Sequence, residues 1–323
     1  MSEIKWYRRS FIEAMALGCP KQAHECPSVG SDAARFGALG HGLLRDYLGH
    51  LKASGQGRDI DYLLEEARKC REAPDLQPAM LSLMKRVGGR IYLPQGRILG
   101  IEKDLGWEVM PGIGVACGLD LLLAGIADDE LEITDYKFGY GRMTEAEARA
   151  DFQVRTYSGA VLANYPKVRR VWFNLHYMRH DDPEGKEAYR RVRVDFVREQ
   201  YEDLEGHVVG ALQRCRDLED DGEFPAVPGY PQCVDCALVM KCPVADECAS
   251  EIAESPVGFA EHLLVRTAAV AKMKKALKEW VLKKGPVELP GGGRYDVRVS
   301  KNTRFDFYKD AGEDDAEDDD EGN

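Results

Sequence analysis

The chain has 323 residues, of which 44% are hydrophobic and 31% charged, a composition typical of a soluble globular protein with a sizeable core. The formal net charge of −12 argues against a uniformly basic nucleic-acid-binding surface, although nine acids lie between Asp310 and Asn323 and the remainder carries only −3. No apolar run approaches the roughly 20 residues of a membrane span, and MSEIKWYRRSFIEAM has no apolar signal-peptide segment, so we expect a cytoplasmic protein of a bacterium or a phage-infected host, without a membrane partner.

The first hundred residues read as helices. Ser10, with Glu13 at the capping-box position, predicts a helix that ends at Gly18 and Pro20. A second helix is predicted from residue 31 or 32 to about 54, because its apolar residues recur at helical spacing. Two more helices are predicted over residues 60–72 and 78–87.

The apolar pattern changes to that of strands after residue 97. Residues 97–109, 115–125 and 130–139 predict three strands separated by Gly, Pro and Asp turns. A helix over 144–165, with Thr144 and Glu147 as a capping box, is followed by two strands within 168–180 and 188–196 and by a helix over 198–222. This order predicts an α/β fold with a mixed central sheet and flanking helices.

Charged side chains occur on a strand that should be buried, in the stretch LEITDYKFG. Asp135 and Lys137 are two residues apart and therefore face the same side, and a hairpin would bring Asp120 beside them. Charges are costly to bury unless they are paired or bind a metal, and two carboxylates that meet favour a divalent cation between them. A lysine beside such a cation suits metal-assisted phosphodiester hydrolysis; the alternative is an ion pair on an edge strand. Glu132 alternates to the other face, and we interpret it as structural or solvent-facing.

The motifs before and after this strand occur in the same order as in the RecB-like branch of the PD-(D/E)xK nucleases. The motifs are GALGHGLL with His41, GIEKDLG with Glu102, CGLDLLL with Asp120, TDYKFG with Asp135 and Lys137, and FQVRTY with Gln153 and Tyr157. From about Cys19 to Cys248 the chain resembles this family. The resemblance implies a restriction-endonuclease-like core over residues 99–222, after an N-terminal helical region over residues 1–98.

The resemblance also implies roles for these residues. The metal, Mg²⁺ or Mn²⁺, would be held by His41, Asp120, Asp135 and the backbone carbonyl of Tyr136. Lys137 would be the catalytic lysine, Gln153 and Tyr157 would position the DNA strand or its end, and Glu102, or its rival Glu108, would support catalysis. Without the motifs, His41 would be read as a core histidine, and Gln153 and Tyr157 as packing on a helix face.

Four of the nine cysteines crowd into CVDCALVMKCPVADEC, residues 233–248. Cys233, Cys236 and Cys242 follow a C-x₂-C-x₅-C pattern, which indicates a zinc or iron–sulfur site. The chain also resembles AddB-type and CRISPR-associated nucleases, which hold a [4Fe–4S] cluster with one cysteine before the His motif and three after the core. That resemblance implies a structural cluster on Cys19, Cys233, Cys236 and Cys242, with Cys26 as the runner-up to Cys19. A zinc site that uses Cys248 instead is the alternative.

The remaining predictions concern the C-terminal part of the chain. We expect a cysteine-rich segment over residues 223–254, a helix and a small β segment over 255–308, and an acidic disordered tail over 309–323. The helix carries six lysines in its second half, which either line a DNA path or form a solvated face. They are Lys272, Lys274, Lys275, Lys278, Lys283 and Lys284.

Taken together, the residues and the resemblance favour a metal-dependent DNA exonuclease of phage type, which acts in DNA recombination, repair or phage DNA processing. DNA, as a single strand or as duplex ends, is the expected partner, with a recombinase or annealing protein as a further one. Two alternatives stay open: a non-catalytic DNA-binding or recombination-accessory protein on the same core, and a zinc-binding adaptor. The intact set of Asp120, Asp135 and Lys137 argues against the first alternative.

Overall fold

The computed structural model describes residues 4–25, 32–55, 58–69, 73–91, 97–139, 142–179, 190–228, 233, 236–246, 256–288, 294–298 and 304–308. The chain divides into two compact units, Met1–Val227 and Pro228–Asn323. No helix within these ranges combines the length and the apolar character that crossing a membrane requires. Cys26, Cys248 and the predicted acidic tail lie outside the described residues.

A six-stranded mixed sheet forms the centre of the first unit and confirms the predicted α/β class. Its strands are β1 (Lys5–Arg8), β2 (Ile98–Met110), β3 (Ile113–Ala124), β4 (Glu130–Lys137), β5 (Arg170–Tyr177) and β6 (Arg190–Val197). The order is β1-β3-β4-β5-β6, and β2 pairs with β3. The strands β2, β3 and β4 form an antiparallel meander, β5 is parallel to β4, β6 is antiparallel to β5, and β1 is parallel to β3.

Helices of the first unit precede the meander and follow it. They are α1 (Arg9–Ala16), α2 (Pro20–Glu25), α3 (Asp32–Ser54), α4 (Ile60–Lys69), α5 (Gln77–Val87), α6 (Glu145–Ala150), α7 (Phe152–Asn164) and α8 (Tyr201–Asp221). Short 3₁₀ turns occupy Gly88–Arg90 and Arg198–Gln200. Because parallel strands cannot be joined by a tight hairpin, the chain crosses from β4 to β5 through α6 and α7.

Two hydrophobic clusters enclose β4. One contains Ile133 together with Val161 of α7 and Leu212 of α8. The other contains Tyr136 together with Leu44 of α3. Because side chains alternate along a strand, Asp135 and Lys137 share the face of Ile133 and point towards the layer that contains α7.

The structure differs from the sequence predictions mainly near the N-terminus. Strand β1 was not predicted, and α1 begins at its end, so the predicted cap at Ser10 is wrong: Arg8 is the N-cap and makes no side-chain cap bond. Pro20, predicted as a helix stop, begins α2. The predicted helix over 144–165 is divided at Asp151, while its capping box of Thr144 and Glu147 is confirmed.

The second unit combines a long helix with a small sheet. It contains a 3₁₀ turn at Val239–Lys241, α9 (Pro243–Asp246), α10 (Pro256–Lys284), β7 (Val287–Glu288), β8 (Arg294–Arg298) and β9 (Arg304–Tyr308). The three strands are antiparallel neighbours in chain order. Cys233 and Val239 pack with Val265 and Ala268 of α10, so the cysteine-rich segment lies against this helix.

Candidate active site

Strands β3 and β4 separate at the residues that carry the predicted acids. Their ladder ends with the pair Leu121 and Thr134. Asp120 and Asp135 would form the next pair, but here the backbone N–H of Tyr136 donates to Asp120 Oδ2 at 2.8 Å. Further along β3, the short strand β1 pairs with it instead. The separation opens a gap in the sheet with one acid on each side.

Three side chains with metal-ligating atoms meet at this gap. His41 of α3, Glu102 of β2 and Asp120 of β3 each offer one donor atom, and these atoms all lie within 4.8 Å of one another. His41 Nδ1 is 3.2 Å from Asp120 Oδ2. Carboxylate oxygens suit hard divalent cations such as Mg²⁺ and Mn²⁺, and an imidazole can complete such a set. The group therefore fits a divalent cation.

The position of His41 depends on the glycine that precedes it. A Cβ atom at Gly40 would lie 2.3 Å from atoms of the Phe138 ring, so only glycine lets α3 approach the end of β4 this closely. The same ring contacts the His41 imidazole edge-on, with centroids 5.3 Å apart. Gly40 was part of the His motif in the sequence, but its packing role depends on a residue almost a hundred positions away.

Glu102 reaches the gap through an unusual backbone conformation. Its φ angle is 47°, which is in the left-handed region that residues other than glycine rarely adopt. Ile101 pairs with Leu121 and Lys103 with Leu119, so Glu102 lies opposite Asp120. Backbone strain of this kind is most often kept where a side chain must point in a particular direction.

Asp135 is held in a second group, beside the first. Gln153 Nε2 of α7 donates to Asp135 Oδ1 at 2.6 Å, and Gln153 Oε1 accepts from Lys137 Nζ at 2.6 Å. Lys137 Nζ also lies 2.8 Å from Asp135 Oδ2. The Asp135 carboxylate is buried, and these contacts compensate for its loss of water. The sequence predicts Asp135 as a metal ligand together with His41 and Asp120, whereas the donor atoms within 4.8 Å of one another are those of His41, Glu102 and Asp120.

The pKa values of these side chains reflect their burial first and the negative charge in the gap second. Burial alone would lower the pKa of His41, but its hydrogen bond with Asp120 and the nearby carboxylates raise it. Burial raises the pKa of Glu102, and the charge of Asp120 raises it further. Burial also raises the pKa of Asp135; Lys137 opposes this rise and Asp120 adds to it. A bound cation would relieve the repulsion that these directions describe.

The Tyr136 carbonyl faces the same gap. The Lys137 carbonyl accepts from Met178 N at 2.9 Å, on the β5 side of the strand. Since the N–H and C=O of one strand residue point to the same edge and neighbouring residues alternate, Tyr136 directs both groups to the β3 side. Its N–H bond to Asp120 agrees with this orientation. The Tyr136 carbonyl therefore points to the β3 side of the strand, as its predicted role as a metal ligand requires.

The other acids of these strands lie elsewhere. Glu108 Oε1 accepts from Gly112 N at 2.9 Å and closes the β2–β3 hairpin, so of the two rivals the structure brings Glu102 to the gap. Glu132 is buried and pairs with Arg193 at 3.2 Å. The structural interpretation of Glu132 is therefore supported, and the solvent-facing one is wrong.

Tyr157 lies one helical turn beyond Gln153 and borders a cavity of about 450 Å³. Arg9 covers its ring, with the guanidinium carbon 5.5 Å from the ring centroid, and also lines the cavity. Burial raises the pKa of the Tyr157 phenol, although Arg9 opposes the shift. Asp104 and Gly118 line the same cavity, each two residues along its strand from Glu102 or Asp120. The sequence did not single out Arg9, because nothing in its local pattern places it beside Tyr157.

The predicted iron–sulfur ligands lie in both units. Cys19 of the first unit directly precedes α2 and accepts from Val227 N at 3.4 Å. Cys233, Cys236 and Cys242 of the second unit all belong to, or pack against, the cluster on α10. Over the described part of the chain, His41, Glu102 and Asp120 are the metal-ligating group with closely spaced donor atoms, and the cysteines form no such group. The iron–sulfur site stays a prediction.

Comparisons with known proteins add little to this geometry. No protein-family model matches the chain, and no curated protein matches it. Among solved structures, a proposed exonuclease from Eubacterium rectale is similar over 72% of this chain and 86% of that chain, with 11% sequence identity and a TM-score of 0.43. A similarity at this level carries no conclusion about function.

Proposed function

We propose that the protein is a metal-dependent deoxyribonuclease that hydrolyses phosphodiester bonds, and that it acts as an exonuclease. The observation that supports this most strongly is the convergence of two groups where β3 and β4 separate. His41, Glu102 and Asp120 offer donor atoms within 4.8 Å of one another, and Asp135 and Lys137 lie on the facing strand. The ordered motifs of the sequence support the same reaction and a restriction-endonuclease-like core.

His41, Glu102 and Asp120 would hold the cation, with Mg²⁺ or Mn²⁺ the candidates by donor type. When bound, such a cation stabilises negative charge on phosphoryl oxygens. It also lowers the pKa of a water molecule, so that a nucleophile is available near neutral pH. Asp135 and the Tyr136 carbonyl face the gap from the other side and would complete the ligand set.

Lys137 would act on the reacting phosphodiester itself. Its ammonium group is kept in place by Asp135 and Gln153, at 2.8 and 2.6 Å. A positive charge fixed next to the phosphate stabilises the negative charge that develops there, and an amine can also orient a water molecule. Gln153 would serve as a positioning residue, since its amide is already engaged with Asp135 and Lys137.

The cavity beside Tyr157 would receive the DNA strand or its end. Arg9 contributes a cation to its wall, and the cavity begins two residues along the strands from Glu102 and Asp120. A pocket that accommodates an end next to the reacting phosphate would favour exonuclease over endonuclease activity. A [4Fe–4S] cluster on Cys19, Cys233, Cys236 and Cys242 would be structural, and a recombinase or annealing protein is the proposed partner in DNA recombination, repair or phage DNA processing.

The test is digestion of linear and circular DNA, single- and double-stranded, with added Mg²⁺ or Mn²⁺. We expect the wild type to degrade linear DNA and to leave circles intact. Lys137→Gln should abolish digestion, because glutamine can still donate to Asp135 but carries no charge. Lys103→Ala is the matched control: this lysine of β2 bonds to the Tyr165 hydroxyl at 2.6 Å, so its loss should leave digestion intact.

Two results would contradict the proposal. Equal digestion by wild type and Lys137→Gln would exclude Lys137 from the chemistry. A folded wild type that binds DNA but cuts no substrate with either cation would favour the non-catalytic DNA-binding protein instead.

A further inference from the structure

The second half of α10 has a charge opposite to that of the whole chain. Between Lys272 and Lys284 it holds six lysines and one acid, Glu279, in a protein of net charge −12. Like charges crowded on one helix repel one another, so they lower stability unless a partner of opposite charge compensates. This stretch lies entirely in the second unit and outside the proposed nuclease site.

An apolar groove runs along the same stretch, between α10 and β7. It has a volume of about 820 Å³ and includes Met273, Leu277, Trp280 and Val287 among its lining residues. Trp280 is 49% exposed and Met273 is 48% exposed, which is unusual for large apolar side chains so close together. The groove therefore presents an accessible aromatic ring on an apolar floor.

Lysines line the same groove. Lys275 is exposed and Lys272 is half-buried. Lys272 donates a hydrogen bond to the backbone carbonyl of Cys236, so this part of α10 contacts the cysteine-rich segment. Glu279 also lines the groove, one turn after Lys275. Positive charge beside an apolar floor with an exposed ring is the combination by which proteins bind single-stranded nucleic acid: cations contact phosphates and aromatic rings stack on bases.

We propose that this groove binds single-stranded DNA, with a base stacked on Trp280 and phosphates contacted by Lys275 and its neighbours. This site goes beyond the proposed nuclease function and does not rest on it, because it shares no residue with the gap between β3 and β4. It would retain a single strand on the second unit whether or not that strand is cut.

Two other occupants fit the groove less well. The acidic stretch 310–323 complements the lysines in charge but contains no apolar side chain larger than alanine, so it would leave Met273, Leu277 and Trp280 uncovered. A lipid surface takes up a helix whose apolar and charged faces are separate, whereas Met273, Leu277 and Trp280 share this surface with lysines and Glu279. A nucleotide chain satisfies both the charge and the apolar ring.

The test is fluorescence anisotropy of a labelled oligothymidylate of about 15 nucleotides, within the site sizes of single-strand binders. The full-length protein is used in buffer without divalent cation, so that no digestion is expected. Trp280→Leu should weaken binding about tenfold because the ring is lost, whereas Trp280→Tyr should stay within about twofold of wild type. Lys275→Gln should weaken binding and make the negative slope of log affinity against log salt less steep by about 0.7. Glu279→Gln should strengthen binding.

Matched controls lie outside the groove. Leu263→Ala changes an exposed apolar residue of the same helix, and Lys85→Gln removes a lysine from α5 of the first unit; both should bind like wild type. Unchanged affinity in Trp280→Leu and Lys275→Gln would overturn the proposal. So would Trp280-dependent binding of phosphatidylglycerol vesicles without Trp280-dependent DNA binding, or loss of the Trp280 effect when residues 309–323 are removed. Because the test measures binding without a cation, it can succeed where the nuclease test fails.

Discussion

The ion pairs of individual residues explain how β4 carries buried charges. Asp135 is compensated by Lys137 and Gln153, and Glu132 by Arg193 on the opposite face of β4. The Arg193 guanidinium also lies 4.1 Å from the centre of the Trp172 ring, a cation–π contact that keeps it in place. The two pairs differ in use: the Glu132 pair supports the sheet, whereas the Asp135 pair borders the proposed cation site.

The backbone conformation of Glu102 predicts that a glycine variant at this position is more stable than an alanine variant. At a φ of 47°, a residue with a Cβ atom is disfavoured by about 1 kcal/mol relative to glycine. We therefore expect Glu102→Gly to be about 1 kcal/mol more stable than Glu102→Ala in urea unfolding, although both should bind Mn²⁺ more weakly than wild type. Glu108 is the control, because it has an ordinary φ: there the glycine variant should be the less stable one. The same order at both positions would contradict a strained Glu102.

The contact of Gly40 with Phe138 gives a second prediction for single residues. Gly40→Ala should lower the free energy of unfolding by about 1–3 kcal/mol, because the new methyl group overlaps the Phe138 ring. It should also weaken Mn²⁺ binding, since His41 is the next residue. Gly37→Ala on the same helix meets no atom within 4 Å and should be neutral or stabilising by up to about 1 kcal/mol. If both variants behave alike, the close approach of α3 to β4 is wrong.

Among the elements, the division of one predicted helix into α6 and α7 decides where Gln153 lies. Asp151 has an extended backbone, ends α6 and caps α7, and its carboxylate accepts from Val154 N at 3.0 Å. The break reorients the chain just before Gln153, so that α7 starts on the face of the sheet that Asp135 and Lys137 share. The β3–β4 separation provides the space, and the α6–α7 break provides the positioning amide.

Loss of the α7 cap should therefore affect both stability and activity. Asp151→Ala should lower the free energy of unfolding by about 1 kcal/mol, the usual cost of removing an N-cap, whereas Asp151→Asn should retain most of it. Urea unfolding measures the first effect and the rate of DNA digestion the second. If Asp151→Ala loses the full stabilisation of the cap but digests DNA at the wild-type rate, the start of α7 does not position Lys137.

The elements that the sequence predicts best are those whose pattern is local. Strands β2, β3 and β4 and helices α3, α5 and α8 lie within a few residues of their predicted limits, because each carries a long periodic pattern. Strand β1 was missed because four residues hold too little periodicity, and it forms because β3 has an open edge beyond the separation from β4. Asp151 looked like part of one helix because an aspartate within a helical run does not show in the sequence whether it lies inside a helix or caps one.

The same limit applies to the candidate site. The ordered motifs single out His41, Glu102, Asp120, Asp135, Lys137 and Gln153, and the structure places all six around one gap. Their division into a cation group and an Asp–Gln–Lys group was not predictable, because it depends on where β3 and β4 part. Gly40 and Arg9 acquire their roles only through contacts with distant residues.

At the scale of the whole molecule, the chain consists of two compact units with different chemistry. The first holds the proposed cation site, and the second holds the C-x₂-C-x₅-C cysteines and the lysine-rich α10.

The metal content of the purified protein tests the proposed iron–sulfur cluster. Protein prepared without oxygen should be brown and contain about four irons per chain, and Cys19→Ser and Cys236→Ser should each lose most of the iron. Cys117→Ala, a buried cysteine of the sheet, is the control and should retain it. One zinc per chain, retained in Cys19→Ser, would instead indicate a local site in the second unit.

The central claim is that His41, Glu102 and Asp120 share one divalent cation where β3 and β4 separate. The most direct measurement is Mn²⁺ binding by wild type, Asp120→Asn and Lys137→Gln. The paramagnetic resonance signal of the free ion reports how much Mn²⁺ stays unbound. The account predicts a Mn²⁺ ion that is lost in Asp120→Asn but retained in Lys137→Gln, the variant that should no longer cut DNA. Equal Mn²⁺ binding by wild type and Asp120→Asn would contradict the claim.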